Sequence, residues 1–177
     1  ERVGFDPIKI NVVAMKGVND DEILDFAELA VKKPYRIRFI ELMPVGGGNG
    51  WAPDRFISTD EIYQRLQTMG NLLPVKSHPH DGPAQRFKIE GAQGEIGLIG
   101  ALSHHFCSIC NRLRLTAEGS LRGCLFSDEE TDLKTPLREG KGDEALLRLI
   151  EWTIENKPED HGLLVQGPRK CVRQMHS

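Results

Sequence analysis

Residues 8–43, IKINVVAMKGVNDDEILDFAELAVKKPYRIRFIELM, decide the fold class. The run Ile8–Ala14 is largely β-branched and continuous, which predicts a strand buried on both faces. Asn19-Asp20-Asp21-Glu22 then has the form of a capping box, with Asn19 placed to cap and Glu22 to reach back. Ile23, Leu24, Ala27, Ala30 and Val31 follow helical spacing, and Pro34 closes the helix. A second strand is expected over Arg36–Met43. Strand, helix, strand in this order is a βαβ unit, so the two strands should be parallel and the class α/β.

Working outward, Pro44–Gly50 carries four glycines but has neither a Lys-Ser/Thr pair nor a strong helix directly behind it. It reads as a connector rather than a phosphate cradle. Ser58-Thr59-Asp60-Glu61 is a second capping box, followed by Ile62, Leu66 and Met69 on one helical face. From residue 72 the texture changes to short strands, expected at 72–77, 85–90 and 95–99, with turns at Asp81–Pro83 and Gly91–Gly94. Residues 112–116 alternate, Glu118-Gly119 offers a hairpin turn, and 120–126 should return as a strand. A last helix is expected over about 143–156, with Leu146, Leu149, Ile150 and Thr153 facing inward, ended by Lys157-Pro158. The tail from His161 reads as irregular, and no repeats or low-complexity segments occur.

The 177 residues carry a net charge of −3 and are 39% hydrophobic and 28% charged. That balance argues against a sequence-wide affinity for nucleic acid or a membrane surface, so any anion site must be a local cluster of basic side chains. No apolar run approaches a membrane span, and no secretory signal pattern opens the chain. Four cysteines, three of them crowded together, suit metal or redox chemistry in a reducing compartment, so a cytoplasmic location is expected. The chain begins at Glu1 and enters an apolar strand almost at once, as a piece of a longer protein would.

The crowded cysteines are Cys107, Cys110 and Cys124. A CxxC turn lets two thiolates point at one centre, and a third on the return strand of a hairpin can meet them from the other side. Zinc would need a fourth ligand, for which His104 or His105 stands nearest. The alternative is an iron–sulfur cluster held by three thiolates, with one iron left open as a Lewis acid. Arg112 and Arg114, expected two apart on a strand and so on one face, favour the second reading, because guanidinium forks beside an open site suit an anionic ligand. Cys171, in the basic segment Arg169–Arg173, reads as a separate free thiol.

Phe106–Phe126, FCSICNRLRLTAEGSLRGCLF, closely resembles the carboxy-terminal cluster motif of the molybdenum cofactor biosynthesis protein A family, the radical S-adenosylmethionine GTP 3',8-cyclases. The likeness extends through KINVVAMKGVNDDEI (Lys9–Ile23), IRFIELMPVG (Ile37–Gly46), DGPAQRFKI (Asp81–Ile89) and GEIGLIGALSHHFC (Gly94–Cys107). The resemblance implies an incomplete TIM-like β/α barrel ending near residue 54, and a carboxy-terminal α+β region over 55–177 whose antiparallel strands carry a [4Fe–4S] cluster. By matching positions, Cys107, Cys110 and Cys124 would hold that cluster, and GTP would meet its open iron. Arg112, Leu113, Arg114 and Lys9 would bind GTP, Arg38 would add charge for phosphate, and Met43 would contact S-adenosylmethionine. Family members are lyases that generate a radical at a second [4Fe–4S] cluster bound by CxxxCxxC, and the resemblance suggests a homodimer.

Two departures stand out. No CxxxCxxC occurs, so the chain is expected to be the substrate-binding half and inactive alone. The family usually ends in a twin glycine, whereas this sequence ends Arg173-Gln-Met-His-Ser177, so either the tail diverges, the chain stops short, or the match fails there. From the residues themselves, Lys9 is a cation inside an apolar strand, as befits a cavity wall or a strand end, and Met43 reads as an ordinary core residue.

Overall fold

The computed structural model describes residues 2–45, 52–76 and 82–161. The glycine loop, the Asp81 end of one expected turn, the Ser77 end of one expected strand, Cys171 and the terminal tail lie outside these. The chain divides into two compact units, Glu1–Phe106 and Cys107–Ser177.

In the first unit, β1 (Lys9–Ala14), α1 (Ile23–Lys32) and β2 (Arg36–Glu41) form the expected βαβ unit. The two strands pair in parallel, Lys9 opposite Arg36 and Ala14 opposite Glu41. After α2 (Thr59–Leu66) come β3 (Leu72–Pro74), β4 (Gln85–Ile89) and β5 (Glu95–Ile99). The sheet order is β1-β2-β5-β4-β3, with β5 parallel to β2 and the β5-β4-β3 side antiparallel. β5, from beyond residue 54, pairs directly with β2 from before it.

The core lies on one face of this sheet. Val12, Ala14, Ile37, Phe39, Ile96 and Leu98 pack there with Ile23, Ala27 and Ala30 of α1 and Ile62 and Leu66 of α2. Each large aliphatic side chain buried there contributes roughly 1.5–3 kcal/mol. The expectation that β1 is buried on both faces is corrected: Lys9, Asn11 and Val13 on its other face are exposed. The described helices cover only one side of the sheet, so strand hydrophobicity overstated burial.

The first capping box is also corrected. Asn19 makes no cap; its Oδ1 accepts from Met15 N at 2.8 Å and its Nδ2 donates to the Val13 carbonyl at 3.0 Å, closing the β1–α1 loop. A 3₁₀ turn, Asp20–Glu22, intervenes before α1. Ser58 does cap α2, accepting from Glu61 N at 3.1 Å.

The second unit has a small antiparallel sheet of β6 (Arg114–Leu115), β7 (Ser120–Arg122) and β8 (Thr131–Asp132) in that order. A short helix α3 (Lys134–Arg138), unforeseen in the sequence, and α4 (Asp143–Glu155) follow. The Glu118-Gly119 turn forms as expected, but both strands are shorter than the alternation suggested. Arg112 consequently precedes β6, and its placement on a strand face with Arg114 is corrected. The long strand expected over 120–126 stops at Arg122, since β7 pairs with β6 only at Leu121 and Arg122 and with β8 only at Ser120 and Leu121. Leu146, Leu149, Ile150 and Thr153 turn inward on α4 as expected. A hydroxyl pair, Thr153 to Thr131 at 2.8 Å, fastens that helix to β8. Leu121 is the only buried apolar residue among the described residues of this unit.

Candidate metal centre

Cys107 and Cys110 bracket a 3₁₀ turn closed by Cys110 N donating to the Cys107 carbonyl at 3.1 Å. Cys124 stands two residues beyond β7, so the hairpin returns it toward the turn. All three thiols are free and half-buried. Burial raises the Cys107 pKa, opposed by the backbone N–H of His161, and the neighbouring Cys124 and Cys110 raise it further. Thiols that feel one another electrostatically, and do not pair as disulfides, are the donor set a thiophilic metal centre requires.

Each sulfur also meets a protein donor. Phe126 N donates to Cys124 Sγ at 3.4 Å, and Lys157 Nζ lies 3.8 Å from Cys110 Sγ. The His161 N–H serves Cys107. Donors aimed at thiolate sulfur stabilise the charge of a bound centre, so these residues fit an anionic metal–sulfur group. The His161 ring stands edge-on to Phe126, with centroids 5.2 Å apart, and a ring nitrogen lies within 4.8 Å of Cys107 Sγ. His104 is committed elsewhere, its Nε2 2.8 Å from Asp60 Oδ1. His105 is exposed.

The remaining predicted site residues separate by unit. In the second, Arg112 is exposed while Leu113 and Arg114 are half-buried. In the first, Lys9 and Arg38 line one shallow, open basin, together with Arg36, Arg86, Glu95 and Gly97. Glu95 pairs with Arg86 at 2.8 Å and with Arg36 at 3.3 Å. Arg38 Nε is buried without a hydrogen-bond partner among the described residues. A Cβ at position 97 would come within 2.9 Å of Arg38 Cγ, so glycine there makes room for the arginine stem. Four cations against one carboxylate make this a local anion-attracting surface on a chain of net negative charge. Met43 follows β2, half-buried, its carbonyl accepting from Val45 N.

The family model described as Molybdenum Cofactor Synthesis C matches residues 35–163, a span that runs from β2 through α4 and includes all three crowded cysteines. The chain belongs to that family. Similar curated proteins carry the name GTP 3',8-cyclase. That of Syntrophomonas wolfei is 47% identical over 155 residues, covering 88% of this chain and 48% of the relative. That of Thermodesulfovibrio yellowstonii is 49% identical over 160 residues, covering 90% and 49%. That of Alkaliphilus oremlandii is 42% identical over 174 residues, covering 98% and 52%. The chain spans about half the length of the curated relatives it matches.

Within this Molybdenum Cofactor Synthesis C chain, several residues at or near the sites carried no sequence signal. Arg36 and Arg86 are ordinary strand arginines until the sheet order sets them beside Lys9 and Arg38. Lys157 ends a helix and lies far along the chain from the cysteines it approaches. Glu41 is fully buried, where it accepts from Thr59 N at 2.9 Å, Leu102 N at 2.8 Å and Ser103 N at 3.0 Å, and also from the Ser103 hydroxyl. The signal for Glu41 was available: a lone carboxylate at an inward position of an apolar strand must find donors.

Proposed function

We propose that this chain is the substrate-binding, carboxy-terminal half of a radical S-adenosylmethionine GTP 3',8-cyclase, a cytoplasmic lyase acting early in molybdenum cofactor biosynthesis. The observation that carries this reading is three free, half-buried thiols near enough to feel one another electrostatically, each with its own hydrogen-bond donor, in a unit whose described residues bury a single apolar side chain. Cys107, Cys110 and Cys124 would hold a [4Fe–4S] cluster. Such a cluster supplies an open iron able to act as a Lewis acid toward a substrate heteroatom. The strands of the first unit would belong to an incomplete β/α barrel.

The protein's own residues would then bind and orient the nucleotide. Arg112, Leu113 and Arg114, directly behind the CxxC turn, would contact GTP, the arginines meeting phosphate through forked N–H pairs. Lys9 and Arg38 would bind phosphate at the basic basin, a role supported by the buried Arg38 Nε. Met43 would contact S-adenosylmethionine. Radical generation needs a second cluster, for which these 177 residues contain no CxxxCxxC, so the chain alone would not turn over GTP. A homodimer, with no nucleic-acid or membrane partner, completes the reading.

A zinc-stabilised module is the second reading, and the nearness of the His161 ring to Cys107 favours it over chance thiols. Anaerobic reconstitution separates the two. The cluster reading expects a brown protein with about four iron and about four sulfide per chain. A colourless protein retaining one tightly held zinc overturns it. Arg112→Ala should then weaken GTP binding to the loaded protein by about 1–3 kcal/mol, measured calorimetrically.

A further inference from the structure

Lys157 takes no part in the thiol spacing, yet its ammonium reaches the turn that carries two of the cysteines. Nζ lies 2.7 Å from the Cys110 carbonyl, 3.0 Å from the Arg112 carbonyl and 3.8 Å from Cys110 Sγ. An ammonium has three N–H donors, and these three acceptors match that number. The two carbonyls belong to a segment with little regular structure of its own, between the 3₁₀ turn and β6. Without a cation there, both would rely on water.

The position of Lys157 follows from its helix. Thr153 anchors the last turns of α4 to Thr131, and Lys157 N closes the helix end on the Ile154 carbonyl. Pro158 then prevents continuation. The lysine stem runs across Gly123, where an added Cβ would lie 2.9 Å from Lys157 Cγ and 3.2 Å from the Thr153 carbonyl. The missing side chain at 123 thus opens the path by which the stem passes the residue before Cys124.

We propose that Lys157 is a positioning residue of the three-cysteine centre, fastening the Cys107–Arg112 turn and setting a fixed positive charge against the Cys110 sulfur. The proposal rests on the cluster reading above. A cation beside a thiolate-ligated cluster stabilises the more negative, reduced state, so Lys157 raises the reduction potential of the bound centre. Loop tethering alone would not set a potential through charge, and this separates the proposal from a merely structural role.

The test is an anaerobic redox titration of reconstituted protein followed by electron paramagnetic resonance, with iron and sulfide determined on the same samples. Wild-type protein that binds no iron counts against the cluster reading, independently of Lys157. With the wild type loaded, Lys157→Met should titrate at a more negative potential, and Lys157→Arg, which keeps the charge, should lie closer to wild type. A Lys157→Met potential equal to that of the wild type overturns the proposal. Should that variant not fold, Gly123→Ala reads the same contact with all charges retained. Its methyl group must displace the lysine stem, so a shift in the same direction supports the proposal and an unmoved potential overturns it.

Discussion

Glu41 shows at single-residue scale how a buried charge organises a loop. Its carboxylate joins the end of β2 to Thr59 at the start of α2 and to Leu102 and Ser103, four or five positions before Cys107. Glu41→Gln puts an amide N–H₂ where only acceptors are tolerated, so at least one backbone N–H loses its partner. The expected cost is about 1–3 kcal/mol, read as a lowered urea midpoint. Asp20 is subject to a different test. The Gly17 N–H, with smaller help from Arg65 and against the cost of burial, holds its carboxyl below the ordinary aspartate range. A depressed folded-state pKa contributes stability that is present above the unfolded value and lost as pH falls through the folded one. Asp20→Asn should therefore flatten the acid limb of the stability–pH curve. Parallel acid limbs in urea melts of the two proteins would show that the Gly17 and Arg65 contacts contribute nothing.

Among the elements, the two capping boxes make the clearest contrast. Both motifs read alike in sequence, but only Ser58 caps its helix. Asn19 is instead held by Met15 N and the Val13 carbonyl, bonds that depend on where the β1–α1 loop turns. Ser58→Ala should cost about 1 kcal/mol, the usual loss for an N-cap oxygen, measured by thermal or chemical denaturation. Asn19→Ala should instead loosen the loop, seen as faster amide exchange at Met15 with α1 amides little changed. The same limit applied to β6 and β7, where alternation predicted long strands. Residue period marks which side chains can share a face, but pairing needs a neighbour, and β6 and β8 together supply one only to Ser120–Arg122.

For the whole molecule, the two units differ in what holds them together. The first buries Phe39 and a set of isoleucines and leucines between sheet and helices, while Leu121 is the one buried apolar residue among the described residues of the second. A unit so short of core gains most from a bound centre, because binding energy confined to the folded state is folding energy. Removing iron with a chelator should therefore increase amide exchange across β6, β7 and α4, and leave β2 and β5 protected. Uniform loosening of both units would contradict this. The basic basin adds a salt-dependent expectation: Lys9→Ala and Arg38→Ala should each weaken GTP binding, and less so as ionic strength rises.

The βαβ unit, the second cap and the inward face of α4 were legible because each is written in local spacing: period and cap motif. Sequence alone also carried the family, through a motif in which residue types and intervals recur together. What only the tertiary structure decided is everything that depends on residues distant in the chain. The sheet order put Arg36 and Arg86 beside Lys9 and Arg38, and left the far face of β1 exposed. The end of α4 brought Lys157 to Cys110. Local patterns record which backbone conformation a segment prefers, whereas a charge finds its partner only when the whole fold has set the distance between them.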